Sequence, residues 1–457
     1  MQIVGYADKL SVHPGDNIKF MVSCQKSEYE AELVRLIHGD TNPDGPGYKE
    51  KVIKSPIDGT YKGKSQKLRS GSYITIPDDK ALHLSGSFTL SAFIYPTTPS
   101  WRAQGILTKW SGKNNTGYGL MIDEDGSLSL WLGAKGKVAK ASTGVPLRRK
   151  FWYYVAASYD AATGKVTLYQ IPITIWPQDA SRAIVQRDFG KVTIAHNTEP
   201  FIMASWSEGQ EDGKQNIGGL YNGKIESPAI FSRAISAEEA ERLRRGASPK
   251  EIGSGLLAHW DFARDFSTGK IVNAAGKSLN GVMINRPCRA MTGHNWSGGE
   301  INYKHAPQEY GAIYFHDDDL DDAQWDVAFE LKVPANLKSG IYAAKVTTDG
   351  GEDYLPFFVR PPKGTATAPA LFLVPTNSYL AYANIHVFKT VGLEEMGKLL
   401  TGKPWKFEYP TTDADRYMLD NKLNSLYDYH REGSGVSYSS RLRPILNMRP
   451  KYVSPLL

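Results

Sequence analysis

The sequence is poor in several features that mark common classes of protein. It has two cysteines, Cys24 and Cys288, in 457 residues, so a disulfide-rich secreted framework is excluded and reduced thiols are expected. No apolar run approaches the length needed to cross a bilayer, and the N-terminus lacks the layout of a signal peptide. A net charge of +6 is too dilute over this length to indicate nucleic-acid binding. We therefore expect a cytoplasmic protein with no nucleic-acid or membrane partner.

The motifs of standard enzyme sites are also missing. The chain has no HExxH, no CxxC pair and no GxxxxGK[ST] phosphate loop. The segment GSGVS at 433–437 lacks the Gly-x-Ser-x-Gly order that places a nucleophilic serine on a strained turn. The run HDDDLDD at 316–322 lacks the alternate ligands and central glycine of a calcium loop, which favours a solvated or interface-capping loop. No standard enzyme motif therefore explains the chain.

Short strand-like patterns dominate most of the chain. Between 72 and 243 they recur at regular spacing with turn signals between them, which predicts a two-sheet sandwich. Ser236 and Glu239 are spaced as the capping box of a short amphipathic helix that closes this region. The turn at 123–126 carries three acidic residues and a glycine between two strand patterns, and we predict a hairpin there rather than a calcium site.

The same patterns divide the chain into four segments. Residues 1–68 and 248–362 each predict immunoglobulin-like strands, and the second set is expected to pair with the first around the sandwich at 69–247. A KGTATAP linker opens the last segment, 363–457, where a short apolar run at 370–374 predicts a buried strand. The expected fold class is multidomain and mainly β, with immunoglobulin-like strands flanking the sandwich and the start of an incomplete α/β domain after them.

The last segment gathers the unusual chemistry. Its blocks LFLVPTNSYLAYAN at 371–384 and SLYDYHREGSGVSYSSRLRPILNMRPKY at 425–452 are dense in tyrosine and arginine, with no strand or helix period. Aperiodic aromatic and charged density after a strand indicates a site. Tyrosine, with a pKa of about 10, ionises at neutral pH only beside a strong positive charge, which a hard trivalent metal ion supplies. From the residues alone, a packed aromatic side chain is the simpler interpretation of each tyrosine.

These two blocks resemble the large (beta) subunit of N,N-dimethylformamidase. RAMTGHNW at 289–296, HAPQEYGAIYFHDDDL at 305–320 and YLPFFVRPP at 354–362 match the same family. The resemblance implies an amidohydrolase that cleaves small N-substituted formamides, such as N,N-dimethylformamide, to an amine and formate. It also implies a small partner subunit, association of large subunits, and an α/β domain that continues beyond residue 457.

The central region resembles a second family, the laminin-G or concanavalin-like lectin modules. The matching stretches are 88–96, 152–160 and 223–239. The resemblance implies a laminin-G-like jelly-roll sandwich. Because fold does not determine function, we expect this module to contribute packing rather than sugar recognition.

The formamidase resemblance also implies a mononuclear iron centre, expected as Fe³⁺, held by two tyrosines and a glutamate. Tyr382 and Tyr427 best match the two tyrosines, and Ser378 is expected to position the substrate or water. The implied mechanism is Lewis-acid activation, followed by attack of hydroxide on the carbonyl and departure of the amine. The close alternatives to the two chosen ligands are Tyr379, Tyr429 and Tyr438.

The glutamate ligand is expected beyond residue 457. The local glutamates match no family block; they are Glu394, Glu395, Glu408 and Glu432. His430 and Arg441 are candidates for supporting positions around the metal. Arg441, Arg443 and Arg449 could equally pair with carboxylates at a subunit interface.

A second hypothesis comes from a different class of protein. The chain could be a non-catalytic binding or assembly protein, with a lectin-like module between immunoglobulin-like strands. A downstream reading frame that supplies the rest of an α/β domain and a glutamate would favour the enzyme over this alternative.

Overall fold

The computed structural model describes residues 1–134, 136–386, 393–404 and 412–453. Strands far outnumber helices among them, so the prediction of a mainly β protein is confirmed. Two compact units are present, Met1–Ser70 with Leu320–Leu457 and Gly71–Asp319. We call the first the terminal unit and the second the sandwich unit.

The described strands are β1 (Ile3–Ala7), β2 (Ser11–Val12), β3 (Asn17–Cys24), β4 (Glu28–His38), β5 (Lys49–Ile53), β6 (Gly59–Lys62), β7 (Tyr73–Ile76), β8 (Phe88–Pro96), β9 (Gln104–Ser111), β10 (Thr116–Ile122), β11 (Ser127–Ala134), β12 (Lys137–Pro146), β13 (Tyr153–Asp160), β14 (Lys165–Pro172), β15 (Ala183–Asp188), β16 (Phe201–Met203), β17 (Trp206–Glu211), β18 (Lys214–Gly218), β19 (Gly223–Phe231), β20 (Leu256–His259), β21 (Lys270–Ile271), β22 (Gly281–Ile284), β23 (Cys288–Met291), β24 (Ala312–Phe315), β25 (Val327–Lys332), β26 (Gly340–Thr348) and β27 (Gly351–Val359). The described α-helices are α1 (Ala237–Arg244), α2 (Thr376–Ala381), α3 (Leu393–Thr401) and α4 (Asp413–Asp420). No helix in these parts of the chain is long and apolar enough to span a membrane.

The sandwich unit is built from two large sheets. One has the order β12-β11-β10-β9-β16-β7-β22-β21, and the other has the order β15-β14-β13-β8-β19-β24-β23. Alternation along β8 shows how the sequence produces this arrangement, because Phe88 and Leu90 enter the core between the sheets while Phe93 faces the other side. There Phe93 packs in a second apolar cluster with Tyr154 and with Leu243 of α1. Burial of each such side chain stabilises the fold by about 1.5–3 kcal/mol.

The strands between Leu256 and Phe315 continue these two sheets. β22 pairs with β7, and β24 pairs with β19. The sequence division placed these strands in the segment 248–362, together with the immunoglobulin-like set. Local alternation predicts that a segment is a strand but does not name its partner, and these partners lie far away along the chain.

The terminal unit contains two smaller sheets, ordered β1-β3-β25 and β2-β27-β26-β4-β5. β25 pairs with β3 and β26 pairs with β4, so strands from the two ends of the sequence share sheets, as the sequence predicted for its second immunoglobulin-like set. Phe20, Leu33 and Phe357 lie in the core between the sheets. The thiol of Cys24 is buried in the same core, and neither it nor that of Cys288 forms a disulfide bond with a described residue.

The apolar run after the linker is not the buried strand that we predicted. Leu371, Phe372 and Leu373 form no strand and are 86%, 74% and 84% exposed. A strand needs a neighbour to satisfy its backbone N–H and C=O groups, and the structure describes no neighbour for this run. Further along, Met418 of α4 and the later Leu446 are buried in a cluster with Trp325.

Two local predictions in the sandwich unit are confirmed. The turn at 123–126 joins β10 to β11 as a hairpin, closed by a hydrogen bond from the Gly126 amide to the Asp123 carbonyl at 2.9 Å. Ser236 caps α1 by accepting from the Glu239 amide at 3.2 Å, and the Glu239 carboxylate accepts from the Ser236 amide at 2.8 Å. This reciprocal pair is the capping box expected from the sequence.

Glu239 leads to a prediction about pH. Arg233 donates to its two carboxylate oxygens at 2.8 and 2.7 Å, which, with help from the Ser236 amide, lowers the pKa of Glu239 from 4.5 to about 2. Because this pKa is depressed in the folded state, the stabilisation is present above pH 4.5 and is lost as pH falls through about 2. We expect Glu239→Gln to be less stable than wild type near neutral pH. The difference in stability between the two proteins should shrink as pH falls from 4.5 to about 2. Thermal melts across the range would measure it, with Glu238→Gln as the control, and a margin independent of pH would contradict it.

A tyrosine-lined cavity as the candidate active site

Helix α2 and the turn after it position Ser378 and Tyr382. The two residues lie four positions apart, which places them on one side of the helix, and the Tyr382 amide donates to the Ser378 carbonyl at 3.1 Å. Asn384 ends this turn with a φ of 65°, in the left-handed region that asparagine tolerates. Its buried side chain donates to the Pro444 carbonyl at 2.8 Å and accepts from the Leu446 amide at 2.7 Å. These hydrogen bonds connect the end of α2 to the segment that contains Pro444 and Leu446.

A second network holds Tyr427 beside this helix. The buried Asp428 carboxylate accepts from the Ser425 amide at 2.7 Å, and the Ser425 hydroxyl accepts from the Tyr427 amide at 3.1 Å. The Leu426 amide donates to the Ala381 carbonyl at 3.1 Å, which connects this turn directly to α2. The backbone of Tyr427 is therefore placed by side-chain and backbone hydrogen bonds together.

The two predicted tyrosine ligands are in direct contact. The rings of Tyr382 and Tyr427 stack with their centroids 4.5 Å apart and an angle of 20° between their planes. Both are partly exposed, at 43% and 49%. A hydrogen bond to Tyr382 and repulsion from that phenol raise the pKa of Tyr427. Two phenol oxygens so close resist joint ionisation, and a bound cation is the kind of partner that reverses this preference.

Ser378, Tyr382 and Tyr427 all line one cavity of about 1510 Å³ in the terminal unit. Two of the alternative tyrosines, Tyr379 and Tyr429, also line it, whereas Tyr438 is not among the lining residues. The structure therefore brings the three predicted site residues together. Four candidate tyrosines line the cavity, Tyr379, Tyr382, Tyr427 and Tyr429, and Tyr6 and Tyr452 line it as well.

The far wall of the cavity comes from parts of the chain that the sequence patterns did not connect with the site. Strand β4 and the loop after it contribute Ile37, His38 and Asp40, and β27 contributes Phe358. Ile37, His38 and Asp40 lie hundreds of positions before the tyrosines in the sequence. The strand patterns around these three residues and around Phe358 do not indicate a functional site. The pairing of β4 with β26 and of β26 with β27 brings these strands together, and the Lys451 amide joins the loop to the tail by donating to the Gly39 carbonyl at 2.8 Å.

The local glutamates add little to this site. Glu408 lies outside the described residues, as do the side chains of Glu394 and Glu395. Glu432 is buried, its carboxylate accepts from the Ser434 hydroxyl, and it does not line the cavity. Asp40 is the one acidic residue among the described residues that line the cavity.

Two arginines of the tail form hydrogen bonds within the terminal unit. Arg449 donates to the Asp353 carboxylate at 2.8 and 3.2 Å, and burial raises the pKa of Asp353 although Arg449 opposes the shift. Arg443 is buried and donates to the Asn424 carbonyl at 2.5 Å. Its burial lowers the pKa of its guanidinium to about 10. Both side chains secure the tail that carries the cavity residues.

The acidic run at 316–322 is not the solvated loop that was one of our two expectations, and the other, an interface-capping loop, stays a prediction. Asp317, Asp318 and Asp319 are buried, at 4%, 7% and 4% exposure. Within the sandwich unit the Asp319 carboxylate accepts from the Ser72 hydroxyl at 2.6 Å. Arg102 lies 3.4 Å from the Asp317 carboxylate. Such partners offset the cost of burying carboxylates, which charge patterning alone does not predict.

Fold and site together define a multi-sheet β protein with a concanavalin-like module and a separate tyrosine-lined cavity. Residues 68–241 match the model of the concanavalin A-like lectin/glucanases superfamily, and residues 288–456 match the family described as N,N-dimethylformamidase beta subunit-like, C-terminal. Nearly the whole chain is similar to N,N-dimethylformamidase beta subunits, which confirms the resemblance seen in its sequence blocks.

Two curated relatives show how far the similarity extends. The N,N-dimethylformamidase beta subunits of an Alcaligenes species and of Paracoccus aminophilus are each 38% identical to this chain over 473 residues. The matches cover 98% and 99% of this chain but 60% and 61% of those proteins. The chain thus spans about three fifths of the length of these relatives.

Similarity to solved structures is much weaker. The heptameric SAP-like pentraxin from Limulus polyphemus is 13% identical, with a TM-score of 0.29 over 55% of this chain and 95% of that one. The CBM40 of Ruminococcus gnavus IT-sialidase, bound to alpha2,3 sialyllactose, is 13% identical, with a TM-score of 0.30 over 39% of this chain and 96% of that one. Similarities this weak carry no functional argument.

Proposed function

We propose that this chain forms part of the large subunit of an iron-dependent amidohydrolase that cleaves small N-substituted formamides, such as N,N-dimethylformamide, to an amine and formate. The observation that supports this most is the stacked pair of Tyr382 and Tyr427 in a cavity that Ser378 also lines. The two curated relatives named as N,N-dimethylformamidase beta subunits support the choice of substrate. Their designation as beta subunits supports a small partner subunit, and we also propose association between large subunits and a cytoplasmic location.

The donor atoms at the cavity fit a ferric ion. Phenolate oxygens are hard, anionic ligands of the kind that suits a small, highly charged cation, and Tyr382 and Tyr427 would present two of them side by side. When bound, ferric iron would supply Lewis acidity toward an amide carbonyl or water. The third ligand is not assigned among the described residues.

The residues of this chain would bind and orient the amide. Ile385 and Ile445 are buried side chains at the cavity wall, and they offer an apolar surface to the N-methyl groups while limiting the access of water. The Ser378 hydroxyl can donate to the amide oxygen or accept from the attacking water. In the overall reaction the oxygen of water bonds to the carbonyl carbon, the C–N bond breaks, and the nitrogen takes up a proton and departs as the amine.

Removal of iron is the first test of this function. We expect the complete large subunit that contains this chain, purified with its partner subunit, to hydrolyse N,N-dimethylformamide, to lose this activity after dialysis against an iron chelator and to regain it when ferric iron is added. Release of dimethylamine and formate would be measured by proton NMR. Absence of hydrolysis by the iron-loaded protein, or full activity after complete iron removal, would contradict the proposal.

Ser378→Ala tests how the substrate is positioned. Loss of one hydrogen bond should lower kcat/KM by about three- to tenfold, while the bound iron stays at the wild-type level. The matched control is Ser437→Ala, which removes an exposed hydroxyl from the tail outside the cavity lining. Equal kinetics in wild type and both variants would show that Ser378 does not contact the substrate.

A further inference from the structure

Arg441 lines the same cavity, yet part of its guanidinium group has no partner among the described residues. The Nη1 atom is inaccessible to solvent and makes no hydrogen bond with any of them. An arginine carries five N–H donors and stays charged at any physiological pH, so a donor without a partner can still bind an acceptor. Burying such a donor without one costs free energy, more for a charged group than for a neutral one.

The neighbouring arginines show that this is not a general property of the tail. Arg443 donates to the carbonyls of Asn424 and Ser440 at 2.5 and 3.2 Å. Arg449 is neutralised by the Asp353 carboxylate. Arg441 differs from both, because its Nη1 has no hydrogen-bond partner in the part of the chain that the structure describes.

The charges around the cavity favour a negative ligand. Lys9, Arg441, Arg443 and Arg449 line it, and the carboxylate among the described lining residues is Asp40. Even with Arg449 offset by Asp353, cations outnumber anions at this wall. A small anion that enters the cavity would therefore be attracted by the surrounding charge toward the guanidinium group of Arg441, whose side chain lines the cavity.

We propose that Arg441 binds a small carboxylate in this cavity. A guanidinium group matches the planar shape and two oxygens of a carboxylate, and such charge-assisted bonds are stronger than bonds between neutral groups. If the chain hydrolyses formamides as proposed above, this carboxylate is the product formate. Arg441 would then hold the charged product more tightly than the neutral substrate, so formate would act as a product inhibitor.

Titration of sodium formate into iron-free protein tests this without any turnover. Removing the iron prevents formate from binding a metal, and ¹³C-formate line broadening reports its affinity. We expect wild type to bind formate saturably and Arg441→Gln to bind it at least about tenfold more weakly. The affinity for neutral N,N-dimethylformamide should change little with this substitution. Arg441→Lys, which keeps the charge but loses the planar fork, should retain part of the affinity.

The matched control is Arg360→Gln, which removes an exposed arginine that does not line the cavity. It should bind formate as wild type does. Equal affinity in wild type, Arg441→Gln and Arg441→Lys would overturn the inference, as would no binding by wild type. If formate binding depends on Arg441 but the protein does not hydrolyse the amide, only the proposed function is refuted. If the protein hydrolyses the amide but Arg441→Gln leaves the formate affinity unchanged, only this inference is refuted.

Discussion

Replacing Tyr382 or Tyr427 with phenylalanine is expected to lower the iron bound by the purified protein at least about tenfold, and to lower formamide hydrolysis with it. Each substitution removes one potential anionic oxygen from a site that must neutralise a hard cation. It keeps the ring, so the stacking at 4.5 Å can persist and the β units should stay folded. Elemental analysis would measure the iron, and the visible absorption band of ferric phenolate should weaken in each variant.

Tyr303→Phe is the control for this pair. Tyr303 lies in the sandwich unit, where its ring contacts Phe266 edge-on at 5.2 Å, and it is not one of the residues that line the cavity. If Tyr382→Phe and Tyr427→Phe both keep wild-type iron, colour and turnover, the chosen ligands are wrong. Tyr379 and Tyr429, which line the same cavity, would be the next pair to test.

Arg449→Met is expected to lower the free energy of unfolding of the terminal unit by about 3–5 kcal/mol. Arg449 joins the tail to β1 and β27, because it donates to the Gly5 carbonyl at 2.6 Å as well as to Asp353. Without the guanidinium group, the Asp353 carboxylate would be buried with no opposite charge. Hydrogen exchange at the amides of β1 and β27 during denaturant titration would locate the loss of stability in this unit.

Arg416→Met provides the comparison for this ion pair. Its partner Asp413 is 74% exposed, and solvent screens such a pair, so the unfolding midpoint should stay close to that of wild type. An Arg449→Met variant that unfolds at the wild-type midpoint would show that the buried pair contributes nothing to the net stability.

Local features of this protein were predictable from local sequence. The capping box of Ser236 and Glu239 and the hairpin at 123–126 depend on residues within a few positions of one another, and both were found as expected. The alternation in β8 likewise predicted a strand, because side-chain direction repeats every second residue. The choice of Ser378, Tyr382 and Tyr427 came from resemblance to a family, since no spacing in the tail distinguishes these residues from their neighbours.

The sequence by itself thus determined the β character, the turns and caps, and the family resemblance. Tertiary structure alone decided that β22 and β24 join the sandwich, that Leu371–Leu373 stay exposed, and that Ile37 and Phe358 complete the wall around the tyrosines. The physical reason is the range of the interactions. Capping and alternation act within a few residues, whereas strand pairing and cavity walls depend on contacts between residues far apart in the chain, which no local pattern encodes.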